Sequence, residues 1–96
     1  MIGYRFLPPA EEEMIEASEF YEARSEGLGL EFLDDVQRVI DLVREHPQIG
    51  QSVTGDFRRA VLQRFPFSII YSETPTEIVI VALAHAKRRP GYWRER

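Results

Sequence analysis

Two histidines, eleven arginines, one lysine and no cysteine are the material for chemistry in this chain. His85, Lys87, Arg88, Arg89 and Tyr92 lie close together in sequence, and Arg64 can join them if the C-terminal tail folds along the strand ends. Such a set offers one imidazole that can exchange a proton and several cations that can hold negative charge. Each residue also has a plainer use. His85 ends an apolar strand, where a histidine more often bonds backbone than catalyses. His46 before Pro47 suits the negative end of a helix. Arg58, Arg59 and Arg64 can be counter-charges for the acidic segment Glu11–Glu22, and Tyr92 and Trp93 can simply pack. Glu11, Glu12 and Glu13 read as a solvated helix face. With no thiolate and with His46 and His85 far apart, neither a disulfide nor a metal site is expected, and no cofactor is implied.

The length of 96 residues, with 44% hydrophobic and 29% charged content, accommodates a single domain spanning 1–96. Its longest apolar run, Ile78–Ala84, falls far short of the ~18 residues of a membrane span. The opening Met1-Ile2-Gly3-Tyr4-Arg5-Phe6 has no basic segment followed by a long apolar one, so a cytoplasmic location is expected. The net charge of −4 conceals an asymmetry: residues 1–50 carry four Arg against twelve Asp/Glu, and residues 51–96 carry eight Lys/Arg against four. The basic tail can attract phosphate or an acidic protein, or it can merely be solvated.

The elements that must position these side chains follow from periodicity. Ile2–Leu7 alternates and is stopped by Pro8-Pro9, which predicts a strand leading into a helix. From Ala10, the positions Ala10, Met14, Ala17 and Tyr21 recur at helical spacing among glutamates. Gly27-Leu28-Gly29 interrupts, and Leu30, Leu33, Val36, Ile40 and Val43 resume the spacing until His46-Pro47, giving a helical hairpin. Residues 47–56 have turn chemistry and read as a loop. Phe57–Gln63, Phe67–Ser72 and Ile78–Ala84 then read as three antiparallel strands. The order β-α-α-β-β-β predicts an α+β fold, an antiparallel sheet with the hairpin on one face.

That architecture leaves one sheet face in need of a cover. Alternation puts Ile70 opposite to Ile69, and Val79, Val81 and Leu83 opposite to Ile78 and Ile80, so both faces are apolar. A partner chain is the favoured cover, because the tail is short and mostly charged. The alternatives are a sheet that curls on itself or Tyr92-Trp93 folding back.

The stretch Arg58-Arg59-Ala60-Val61-Leu62-Gln63-Arg64-Phe65-Pro66-Phe67-Ser68-Ile69-Ile70-Tyr71, with Val81-Ala82-Leu83-Ala84-His85 and Arg89-Pro90-Gly91-Tyr92-Trp93, resembles the RelE/ParE superfamily of bacterial toxins from type II toxin–antitoxin systems. Glu16–Glu22, Gly27-Leu28-Gly29 and Phe32-Leu33 agree as well. The resemblance implies a strand–helix–helix–three-strand fold and a cognate antitoxin that wraps the toxin, the setting of plasmid stabilization and growth inhibition. RelE-like members cut mRNA on the ribosome, and that resemblance would imply that Arg64, His85, Lys87, Arg88 and Tyr92 move the protons of metal-free RNA cleavage and hold the phosphorane charge, with Tyr92 or Trp93 stacking a splayed base. ParE-like members act on DNA gyrase. The arginine that the ribonuclease branch carries in its third strand falls on Ser68 here, and the Phe-Pro-Phe step and Trp93 look ParE-like, which is the favoured branch. Arg58, Arg59, Ile70, Val79, Val81, Leu83, Arg89 and Trp93 are the candidates for binding target or antitoxin. A family member that has lost toxicity is the third alternative.

Overall fold

Pro8 and Pro9 occupy the first turn of a helix, where the missing N–H groups are no loss, and so they end the first strand and begin α1 together. The computed structural model describes all residues, 1–96. Strand β1 is Gly3–Phe6, followed by α1 (Pro8–Arg24), α2 (Leu28–Glu45), β2 (Gln51–Thr54), β3 (Phe57–Val61), β4 (Phe67–Glu73) and β5 (Glu77–His85), with a 3-10 turn at Tyr92–Glu95. The five strands form one sheet in the order β1-β5-β4-β3-β2. This is the α+β fold expected, with two differences. β1 runs parallel to β5, so the sheet is mixed, because the helical hairpin carries the chain across one face before the meander returns beside β1. The expected loop 47–56 contains β2, antiparallel to β3. Gln51-Ser52-Val53-Thr54 is an exposed edge strand with one apolar side chain, so it has no alternation to find. No helix is long and apolar enough to cross a membrane.

The core lies between the hairpin and one sheet face. α2 buries Phe32, Val36, Val39, Ile40 and Val43 at three-to-four spacing. Phe32, Tyr21, Phe65 and Phe67 form an aromatic cluster with centroids 4.7–5.4 Å apart for four of its pairs. The helices meet at Gly29. The Glu22 carboxylate accepts from the backbone N–H groups of Gly27 and Gly29, each at 2.9 Å, and so caps α2 from the neighbouring helix. A Cβ on Gly29 would lie 2.6 Å from the Ser18 carbonyl oxygen and 3.1 Å from the Glu22 Cβ. Gly29→Ala gains roughly 1 kcal/mol of helix propensity, but forcing the helices apart costs more, and a net loss of about 1–2 kcal/mol is expected. A denaturant titration checks this; unchanged stability would mean that the hairpin separates freely at this crossing.

The second face is where sequence alternation misleads. Ile70 pairs with Ala82 and Tyr71 with Ile80, leaving Val81 as the extra residue of a β-bulge. Beyond the bulge the parity reverses. Leu83 therefore joins Ile78, Ile80, Ile69 and Tyr71 in the helix-facing core, which corrects its expected place beside Val79 and Val81. Ile70 and Ala82 form a second cluster with Tyr92 and Trp93, against which Phe57, Val81 and Ala84 pack. Gly91, at φ +77°, turns the chain so that the tail lies back over the sheet. Trp93 meets Phe57 edge-on, centroids 4.9 Å apart. The favoured partner cover is thus corrected over Ile70 and Ala82: the tail itself supplies it. Two large aromatic side chains can each bury ~150–250 Å², so a short charged tail suffices.

Candidate functional site

β1 accompanies β5 only as far as Phe6 opposite Ile80, and Leu7 N–H donates to the Ile80 carbonyl. From Val81 onward the outer edge of β5 lacks a strand, and a side-chain ion pair takes its place. Arg96 Nη2 donates to the Val81 carbonyl at 2.8 Å, and Leu83 N–H donates to Glu13 Oε1 at 3.0 Å. The same Glu13 carboxylate accepts from Arg96 Nη1 and Nη2 at 2.9 and 2.8 Å and from the Tyr92 hydroxyl. Burial pushes the Glu13 pKa up, but the bonds from Arg96, Tyr92 and the Leu83 N–H outweigh it and hold the carboxyl below its ordinary value of 4.5. Burial, and then the bond to Glu13, raise Tyr92 well above its ordinary 10.0. Glu13 is therefore not part of a solvated face; it joins the tail to α1 and β5. The available signal was its spacing, three residues after Ala10 and four before Ala17, the two buried residues of α1.

The tail and the second sheet face enclose a cavity of about 290 Å³ lined by Arg59, Ser68, Ile70, Arg88, Trp93 and Arg94, among others. Arg59 Nη2 donates to Gln51 Oε1 at 2.9 Å, and the Arg88 guanidinium stacks 3.8 Å from the Tyr92 ring centroid.

Of the residues proposed for RNA cleavage, His85, Arg88 and Tyr92 line this cavity together, and Arg64 does not. Arg64 leaves the sheet toward α2, where its Nη2 donates to Glu31 at 2.6 Å. His85 stands edge-on to Phe67, centroids 5.0 Å apart, and its Nδ1 accepts from the Lys87 N–H at 3.0 Å, the backbone-bonding use open to a strand-end histidine. The Tyr92 hydroxyl is bound to Glu13, and Arg88 covers its ring. Arg64 is thus corrected as a member of a convergent set, because Glu31 holds it on the helical side. None of the three central arginines pairs with α1 as expected: Arg58 donates to the carbonyls of Gln48 and Gly50, Arg59 to Gln51 and Arg64 to Glu31.

Of the candidate binding residues, Ile70, Val79, Leu83 and Trp93 are buried within the chain and Val81 is half-buried. Leu83 lies in the helix-facing core, whereas Ile70 and Trp93 cover one another beneath the docked tail. Arg89 is exposed and pairs with Glu95 at 2.9 Å. The large apolar side chains that do reach solvent include Phe20 and Leu30 on the hairpin and Val53 and Val61 on the sheet. Asp35, wholly buried on α2, went unnoticed in the sequence; it binds the backbone of Gln63 and Arg64.

Residues 4–90 match the family model described as the ParE toxin of type II toxin-antitoxin system, parDE. Among solved structures, one described as the chromosomal ParDE TA system from P. aeruginosa superposes with a TM-score of 0.64 at 19% identity, covering 91% of this chain and 98% of that one. That likeness bears on the fold. No curated protein matches the sequence. The strand–helix–helix–strands order and the family match over nearly the whole length agree, and the chain belongs to the ParE toxin family of type II toxin–antitoxin systems.

Proposed function

We propose that this chain is a toxin that arrests growth in the cytoplasm by binding DNA gyrase, and that a cognate antitoxin neutralises it. The family match over residues 4–90 carries this reading. Two of the RNA-cleavage candidates are committed elsewhere, Arg64 to Glu31 and the Tyr92 hydroxyl to Glu13, which supports protein–protein inhibition over phosphodiester chemistry although His85, Arg88 and Tyr92 share a cavity. Exposed apolar side chains on hairpin and sheet, together with a basic C-terminal half, offer an acidic, partly apolar antitoxin segment matching surface.

The test is a supercoiling assay with purified protein. Gyrase activity on relaxed plasmid should fall in proportion to toxin added, and expression without antitoxin should halt growth. Growth arrest with supercoiling unaffected at excess protein would reject gyrase as the target. Transcripts cleaved on purified ribosomes would replace this reading with an endonuclease, and harmless expression would indicate a family member without toxicity.

A further inference from the structure

Six of the eleven arginines have a carboxylate within 4 Å: Arg5, Arg38, Arg44, Arg64, Arg89 and Arg96. Five have none. Three of those five, Arg59, Arg88 and Arg94, line the same cavity between the tail and the second sheet face. Shortage of anions does not explain this, since the chain has sixteen Asp/Glu and a net charge of −4. Arg89, a fourth arginine of the lining, is paired with Glu95, but the other three have no counter-ion and repel one another, the more so beside the apolar wall of Ile70 and Trp93. An anion placed among the three relieves that repulsion.

From this we infer that the cavity binds a phosphate-bearing ligand, a nucleotide or one unit of a single-stranded nucleic acid. Arginine suits phosphate because its planar fork can donate two parallel N–H bonds to one phosphoryl group. Arg59 and Arg88 are held by neutral contacts, to Gln51 and to the face of Tyr92, and these position the guanidinium groups while leaving N–H donors unused. The Ser68 hydroxyl adds a donor, and Ile70 and Trp93 supply an apolar wall for one face of a base. At about 290 Å³ the cavity sits at the small end of ligand sites, which suits one nucleotide and excludes a duplex. Recognition requires no proton transfer, so it is compatible with a site in which Arg64 and the Tyr92 hydroxyl are engaged elsewhere. The inference does not depend on gyrase being the target.

Trp93 is the only tryptophan and lines the cavity, so its fluorescence reports binding directly. The full chain is titrated with 5′-AMP and, separately, with the trinucleotide dT3 at low salt. A saturable change in Trp93 emission is expected with at least one of them. The trinucleotide affinity should fall with salt with a log–log slope of roughly −0.7 for each phosphate neutralised. Tighter binding of the trinucleotide assigns the site to a strand, and equal binding assigns it to a free nucleotide. Arg59→Gln and Arg94→Gln should each weaken binding about tenfold, as loss of a charge-assisted bond implies. Arg24→Gln removes another carboxylate-free arginine, which lies over Phe20 on α1, and should leave binding unchanged. Both cavity variants change exposed side chains, and an unaltered thermal midpoint confirms their folding. Absence of a saturable change, equal loss in Arg24→Gln, or an equal response to a hexaglutamate peptide would overturn the inference.

Discussion

Replacing Asp35 with alanine is expected to lower the stability of the domain by about 3–5 kcal/mol, the largest effect of any single polar side chain here. Asp35 is 0% exposed and is the only charged residue in the core. Its Oδ2 accepts from the Arg64 N–H at 2.8 Å and its Oδ1 from the Gln63 N–H at 3.2 Å. These bonds fasten the turn between β3 and β4 to α2. The turn contains Phe65, and β4 begins at Phe67; both rings pack on Phe32. Alanine leaves two backbone donors without partners and releases the turn that delivers those aromatic rings. Asp35→Asn keeps the shape and one acceptor but points an amide N–H at a donor, so about half the loss is expected. Arg38→Ala separates the ion pair from the backbone bonds. Its side chain is 51% exposed and its Nη1 lies 3.4 Å from Asp35 Oδ1, so its removal should cost under about 1 kcal/mol. Denaturant midpoints at constant slope measure all three variants. A loss in Asp35→Ala no larger than that in Arg38→Ala would show that water replaces the carboxylate.

Asp35 also shows why part of this structure could be read from sequence and part could not. The helices announce themselves because burial against a sheet selects apolar residues at a fixed local period, as at Phe32, Val36, Ile40 and Val43. β4 and β5 are legible instead as short apolar, β-branched runs bounded by turn residues. The features that were missed depend on partners distant in the chain. The Asp35 bonds span 28 and 29 residues, and those of Glu13 span 70 to 83. No local pattern distinguishes these two carboxylates from their solvated neighbours. The Val81 bulge has no compositional mark, yet it moves Leu83 from one sheet face to the other. β1 gave its strand pattern but not its direction, which the crossover of the hairpin sets. Tyr92-Trp93 was visible as an apolar pair in a charged tail. Its destination was undecidable without knowing that Glu13 and Val81 wait at the β5 edge.

That destination yields the second large effect. Glu13→Ala should cost about 2–4 kcal/mol of tail docking, because it leaves the Leu83 N–H, the Tyr92 hydroxyl and Arg96 without their common acceptor. The Glu13 side chain is 16% exposed, so solvent screens it weakly. The consequence is local before it is global: Tyr92 and Trp93 lift from Ile70 and Ala82, exposing the second core cluster. Trp93 emission should shift to the red, and the tail should become sensitive to protease. The pH dependence follows in sign. The folded Glu13 pKa is depressed, so its contribution is fully present above its ordinary 4.5 and is lost as pH falls through the lower folded value. The folded Tyr92 pKa is raised, so its contribution is fully present below 10.0 and declines as pH rises beyond it. Trp93 emission in the wild type should therefore be flat between these limits and shift outside them. Glu13→Gln keeps the size and an acceptor but removes the charge that Arg96 neutralises, and its acid limb should vanish while the alkaline limb persists. Wild-type emission and an unchanged acid limb in Glu13→Gln would show that the tail is held by aromatic packing alone.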